Sequence, residues 1–108
     1  MALIVHDVAL DMVKSIKPLI ERIARHDRSL AQQLRRSASS VPLNIGEGAY
    51  SRGGNQLSRF QDAAGSANET RSALLVAEAW GYIHSAERAP VDATLDRVCA
   101  MLWRLTHR

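Results

Sequence analysis

Two lines of polar side chains are the features of this sequence best placed to do chemistry. Arg36, Ser40, Asn44 and Glu47 are spaced by four, four and three residues, and Arg59, Asp62, Ser66 and Glu69 by three, four and three. On a helix such spacings stack side chains along one face. If the two segments run antiparallel about a turn near Arg52-Gly53, Glu47 lies level with Arg59 and Arg36 level with Glu69, so opposite charges meet at both ends. Two kinds of role fit. Ser40, Asn44, Glu47, Asp62, Ser66 and Glu69 suit a structural network that sets helix register or a subunit contact. Arg35, Arg36 and Arg59 suit a ligand or nucleic-acid site, because a guanidinium binds carboxylate or phosphate in bidentate fashion.

The remaining inventory is thin. His6, His26, His84 and His107 are scattered without the i, i+4 spacing of a helical zinc pair, and read as surface or helix-end residues. Cys99 stands alone, which excludes an internal disulfide or a multi-cysteine zinc site, and it reads as a small buried hydrophobe. No serine sits in a G-x-S-x-G elbow, and the glycines at 46, 48, 53 and 54 lack the lysine of a phosphate loop. The expectation is therefore a protein that is not an enzyme and carries no metal or cofactor. Trp80, Tyr82 and Trp103 are too dispersed for a base-stacking platform and read as plugs at the ends of a bundle.

The net charge is +3, and its distribution is uneven. Residues 1–54 hold eight Lys/Arg against five Asp/Glu, whereas residues 55–108 hold six against six. The whole excess lies in the first half, and arginine supplies 12 of the 14 cations. Such a patch attracts polyanions, although +3 is modest. The start, MALIVHDVALDMVKSIK, lacks a positive n-region and is interrupted by Asp7 and Asp11, so a signal peptide is not expected. Nor is a membrane span, which leaves a cytoplasmic location as the expectation.

Positioning these residues falls to four helices. Ile4, Val8, Met12, Ile16, Leu19 or Ile20, and Ile23 predict a first helix over residues 3–25, kinked at Pro18. A second helix begins at Ser29, with Gln32 completing an S-x-x-Q box, and carries Leu30, Leu34, Ala38, Val41 and Ile45. Pro42 should distort it, and Gly46 with Gly48 should end it. A third helix spans about Asn55 to Trp80, with Leu57, Phe60, Ala64, Ala67, Leu74 and Ala77 inward. Gly65 in its small-residue middle predicts a close neighbouring backbone. Pro90 opens the fourth helix, after a loop over residues 83–89, and Val91, Leu95, Val98, Leu102 and Leu105 form its stripe. The fold class is all-α, an antiparallel up-down-up-down four-helix bundle making one domain over residues 1–108.

The run from Leu34 to Gly48, LRRSASSVPLNIGEG, resembles the hallmark of a bacterial four-helix-bundle family first noticed in open reading frames within intervening sequences of 23S ribosomal RNA genes. Arg35, Arg36, Ser40, Pro42, Asn44, Ile45, Glu47 and Gly48 carry the likeness. Arg59-Phe60, Ala64-Gly65-Ser66, Glu69 and the run Ala79 to Ile83 resemble the family's third helix and its ending. Gly46 departs from the usual alanine, and Ala67-Asn68 stands where larger residues are usual. The resemblance implies a ring-like homo-oligomer, notably a pentamer, with no established enzymatic activity and a suspected role in binding nucleic acid or nucleoprotein. Distant relatives are accessory factors to the reverse transcriptases of diversity-generating retroelements. The expected function is a non-enzymatic, ring-forming protein contacting RNA or DNA through arginines of the second and third helices. The alternative is a scaffold for a protein partner, without nucleic-acid binding.

Overall fold

The computed structural model describes residues 2–107, with side chains from Ile4 onward. Four helices follow one another: α1 (Ala2–Ala24), α2 (Arg28–Ala49), α3 (Gly53–Ala79) and α4 (Ser85–Thr106). The main contacts run α1–α2, α2–α3, α3–α4 and α4–α1, which is the square of an antiparallel up-down-up-down bundle. The long axis measures 42 Å, as expected for helices of 22 to 27 residues rising about 1.5 Å per residue.

The core is aliphatic and follows the expected stripes with local shifts. Val8, Met12, Ile16 and Ile23 of α1 meet Leu34, Val41 and Ile45 of α2 and Leu95, Val98 and Leu102 of α4 in one cluster. In α1 the stripe starts at Val5, and Ile4 is 54 % exposed. In α3 the inward residues are Phe60, Ala63, Ala67, Thr70, Ala73, Leu74 and Ala77, with Ala64 half-buried against the core, whereas Leu57 stands outside the expected line. The core is shared between four helices, and α3 supplies mainly small side chains to it.

Several helix ends differ from the sequence reading. α2 is capped by Asp27, in an extended conformation, whose carboxylate accepts the Leu30 N–H at 2.9 Å. Ser29 lies inside the first turn, and a carboxylate at that end also meets the positive pole of the helix. α4 starts five residues before Pro90. Glu87 accepts the N–H of the cap residue His84 at 2.9 Å and pairs with Arg22 of α1. Arg88 in the same turn reaches Glu78 of α3 at 2.9 Å. These bonds hold the first turn in place, and Pro90, on the exposed side, sits inside a helix already under way. The Glu87 carboxyl lies below its ordinary value, mainly because it accepts the His84 N–H, with partial burial opposing and Arg22 assisting.

The prolines do not interrupt their helices: α1 runs through Pro18 and α2 through Pro42. Nor do the glycines end α2, which continues through Gly46 and Gly48 to Ala49. Gly48 serves packing. A Cβ on it would stand 2.6 Å and 2.8 Å from the Phe60 ring and 3.2 Å from Arg59 Cβ. Gly65 has the opposite character, exposed and with nothing within 4 Å of a Cβ built there. The close helix approach expected at Gly65 therefore occurs at Gly48. Trp80 and Trp103 are likewise not plugs, being 69 % and 59 % exposed, because Ile83, 2 % exposed, fills the end of the core that Trp80 flanks.

The two helical glycines should respond to alanine with opposite sign. Gly48→Ala forces the Phe60 ring to move and should destabilise by about 1–3 kcal/mol. Gly65→Ala removes a helix-interior glycine at no steric cost and should stabilise by up to about 1 kcal/mol. Urea midpoints of the two variants check this, and shifts of the same sign would contradict the packing described.

Candidate functional site

The α2–α3 interface carries a continuous seam of hydroxyl and amide groups. Asn44 Nδ2 donates to the Ser40 hydroxyl at 2.9 Å and to the Ser40 carbonyl at 3.0 Å. Ser66 of α3 donates across to Ser40 Oγ at 2.8 Å. One turn away, Thr70 Oγ1 lies 2.9 Å from Ser37 Oγ and 2.8 Å from the Ser66 carbonyl, while Ser37 donates to the Leu34 carbonyl at 3.1 Å. Ser37 and Thr70 are only 2 % and 0 % exposed. Short side chains bond across two helices only where the backbones come near, and the small residues of α3 and Gly48 of α2 permit that approach.

The seam gathers some of the expected polar residues and omits others. Ser40, Asn44 and Ser66 are joined. Glu47 Oε2 meets Arg59 Nε at 3.1 Å, the pairing expected at the lower end, and both side chains are about half exposed. At the other end Arg36 and Glu69 line one shallow groove with Ser29, Gln32 and Gln33 but form no ion pair among the described residues. Both are exposed, so each charge keeps its water. Asp62 is exposed and takes part in none of these contacts. Ser37 and Thr70 lie off the two lines read from the sequence. Their signal was present as offsets of three from Ser40 and four from Ser66.

The three arginines proposed as a site do not converge. Arg59 is neutralised by Glu47, and Arg36 faces the groove that holds Glu69. Arg35 lies on the other side of α2, in the furrow between α1 and α2. There it joins two contiguous open grooves. One is lined by Lys14, Lys17, Ile20, Ala38 and Ser39, the other by Ile20, Glu21, Ala24, Arg28 and Gln32. Lys14 and Lys17 are the only two lysines in the chain. Four cations thus share this furrow with one acid, Glu21. None of Lys14, Lys17, Arg28 and Arg35 is in an ion pair among the described residues.

The ion pairs explain this asymmetry. They are Arg22–Glu87, Glu47–Arg59, Arg71–Asp96, Glu78–Arg88 and Arg88–Asp92. Every pair draws at least one partner from the second half of the chain. Of the eight cations in residues 1–54, Arg22 alone is in an ion pair among the described residues. Sequence reasoning located the excess but missed that the α1 lysines and Arg28 would share a furrow with Arg35. Lys14 and Lys17, three apart on one helix face, were the available signal.

Among the described residues no three His, Cys, Asp or Glu side chains gather as a metal would require. The Cys99 thiol is partly buried, and burial pushes it above its ordinary value, with Arg71 opposing and Asp96 assisting. Among the described residues no helix is long and apolar enough to cross a membrane.

The fold and the seam define a compact antiparallel helical bundle with one polar interface and one basic furrow. Comparison with known proteins makes the class specific. Residues 1–104 match the family model described as 23S rRNA-intervening sequence protein, and the chain belongs to that family. A crystal structure of a protein with unknown function from the S23 ribosomal protein family of Bacteroides thetaiotaomicron is similar, with a TM-score of 0.87 at 20 % identity. That match covers 96 % of this chain and 99 % of the other, and it shows a shared fold. No curated protein matches the chain. An alanine would also fit at Gly46, where a Cβ would meet the His6 ring at 3.7 Å, an ordinary contact.

The buried hydroxyl pair should behave as a unit. Ser37→Ala and Thr70→Val should each cost about 1 kcal/mol, and the double variant should cost less than the sum by about 0.5 kcal/mol or more. A double-mutant cycle on urea unfolding measures this, and strict additivity would show that the two hydroxyls do not share a bond.

Proposed function

We propose that this protein is a non-enzymatic nucleic-acid-binding protein whose α1–α2 furrow holds the phosphate backbone. The observation that carries the reading is the set of unpaired cations Lys14, Lys17, Arg28 and Arg35 on one open face. Cations already neutralised by carboxylates release little when phosphate arrives, whereas free ones bind phosphate and displace counterions. This moves the expected contact from the arginines of α2 and α3 to α1 and α2, and keeps Arg35 alone from the original three.

The family resemblance adds a homo-oligomer to the proposal, a ring and in the first instance a pentamer. A patch on the lower part of α2 supports self-association. Leu43 and Tyr50 are 65 % and 92 % exposed beside Pro42, Gly46 and the Glu47–Arg59 pair, in an open groove that His6 also lines. Exposed apolar groups clustered in this way mark contact surfaces. The same patch supports the second reading, a scaffold that binds protein alone.

One set of variants separates the two readings. The logarithm of affinity for RNA should fall linearly with the logarithm of salt, and Lys14→Gln with Lys17→Gln should flatten the slope by about 0.7–0.9 per lost phosphate contact. Arg59→Gln should leave the slope unchanged, and Leu43→Glu should lower the mass in light scattering. Absence of binding to RNA or DNA at low salt, together with a mass change in Leu43→Glu, would leave only the scaffold.

A further inference from the structure

The end of the bundle where α1 passes to α2 and α3 to α4 carries a run of three aromatic rings. His26 and Tyr82 stack with centroids 5.1 Å apart and planes 3° from parallel. Tyr82 in turn lies 6.5 Å from Trp80, with planes 18° apart. The rings come from two separate turns, each pinned by backbone bonds. Gly81, at φ 82, closes the end of α3, with the Gly81 N–H on the Glu78 carbonyl and the Tyr82 N–H on the Ala77 carbonyl, both at 2.9 Å. In the other turn the N–H groups of His26 and Asp27 bond the Ile23 carbonyl at 2.9 Å and 2.8 Å. The rings thus lie in a near-parallel row on turns whose backbones are bonded, and the outermost, Trp80, is 69 % exposed.

The charge around this row is one-sided. Four acids near this end are committed: Asp27 to the Leu30 N–H, Glu87 to Arg22 and the His84 N–H, and Glu78 and Asp92 to Arg88, whereas Glu21 lines the furrow beside Arg28. Arg25, which precedes His26, and Arg28, two residues after it, are in no ion pair among the described residues. Arg28 also lines the basic furrow, and His26, two residues before it, is the member of the row nearest to that furrow. Near-parallel aromatic faces beside free cations are the two elements by which proteins hold unpaired strands, with bases stacked and phosphates neutralised. A duplex satisfies the second element alone, because its bases are already stacked on each other.

We propose that the His26–Tyr82–Trp80 row is a stacking site for unpaired bases, which makes single-stranded RNA or DNA the preferred ligand class of the furrow. The inference rests on the reading of the furrow as a phosphate track. A base at the end of the track stacks on the open face of Trp80, and its phosphates pass Arg25 and Arg28 on the way to Arg35 and the two lysines.

The test uses the full chain carrying Trp103→Phe, which leaves Trp80 as its one tryptophan. An oligo(U) RNA of about ten nucleotides, within the usual site size for single-strand binding, and a blunt RNA duplex of equal length are titrated at low salt. Oligo(U) should quench Trp80 fluorescence. In the original background Trp80→Ala should weaken oligo(U) binding about 5- to 150-fold and leave duplex binding unchanged, with Trp80→Phe retaining most of the affinity. Equal effects of Trp80→Ala on both RNAs, or no effect on either, overturn the stacking site and leave the phosphate track standing. A change of oligomeric mass in Trp80→Ala with RNA affinity intact also overturns it, because the row would then be a protein contact. Failure of both RNAs to bind overturns the track and the stacking site together.

Discussion

The close approach of α2 to α3 is the constraint on which the rest of the bundle depends. It requires a residue without a side chain at Gly48, where the Phe60 ring fills the space a Cβ would take. It also requires groups short enough to bond across the gap, and Ser40 with Ser66 and Ser37 with Thr70 meet that need. A hydrophobic seam alone would allow the helices to slide by a turn with little change in buried area. A seam of hydroxyls disfavours this, because each slipped register loses the Ser40–Ser66 and Ser37–Thr70 bonds across the helices, at about 1 kcal/mol each.

Once that register is set, the arginines are sorted by it. Arg59 comes level with Glu47, and Arg36 faces the groove that Glu69 lines. Arg35, one residue along the helix, turns to the opposite flank and meets Lys14, Lys17 and Arg28. Two adjacent arginines therefore belong to different surfaces. Glu21 is the one acid lining the second surface, whereas Glu78, Glu87 and Asp96 fasten α4 to α1 and α3. The ion pairs that hold α4 in place leave the basic face of α1 and α2 open.

Much of the fold was legible because long amphipathic stripes have only one helical reading. The α4 stripe Val91, Leu95, Val98 and Leu102 lies buried as its spacing requires. Features decided by a distant partner were not legible in this way. Gly48 and Gly65 look alike in sequence, yet only the first faces a ring from another helix. Pro90 suggested a helix start, whereas the bonds of Glu87 and Arg88 to other residues start α4 earlier. The signature in α2 pointed to its own polar line and to Arg35 and Arg36 together. Separating those two arginines required knowing which flank of α2 adjoins α1. The stacking of His26 on Tyr82, residues far apart in the chain, likewise follows from how the turns meet.

The central claim is that phosphate occupies the α1–α2 face and not the α2–α3 seam, and the chain contains its own reporter for this. Its two lysines both line the proposed track. The measurement is lysine acetylation rate, read by mass spectrometry at low salt, with and without saturating single-stranded RNA. The account predicts that RNA slows acetylation of Lys14 and Lys17 together, and that raising the salt restores the free rates as the phosphate contacts dissociate. Saturating RNA that leaves both lysines as reactive as in the free protein would contradict it.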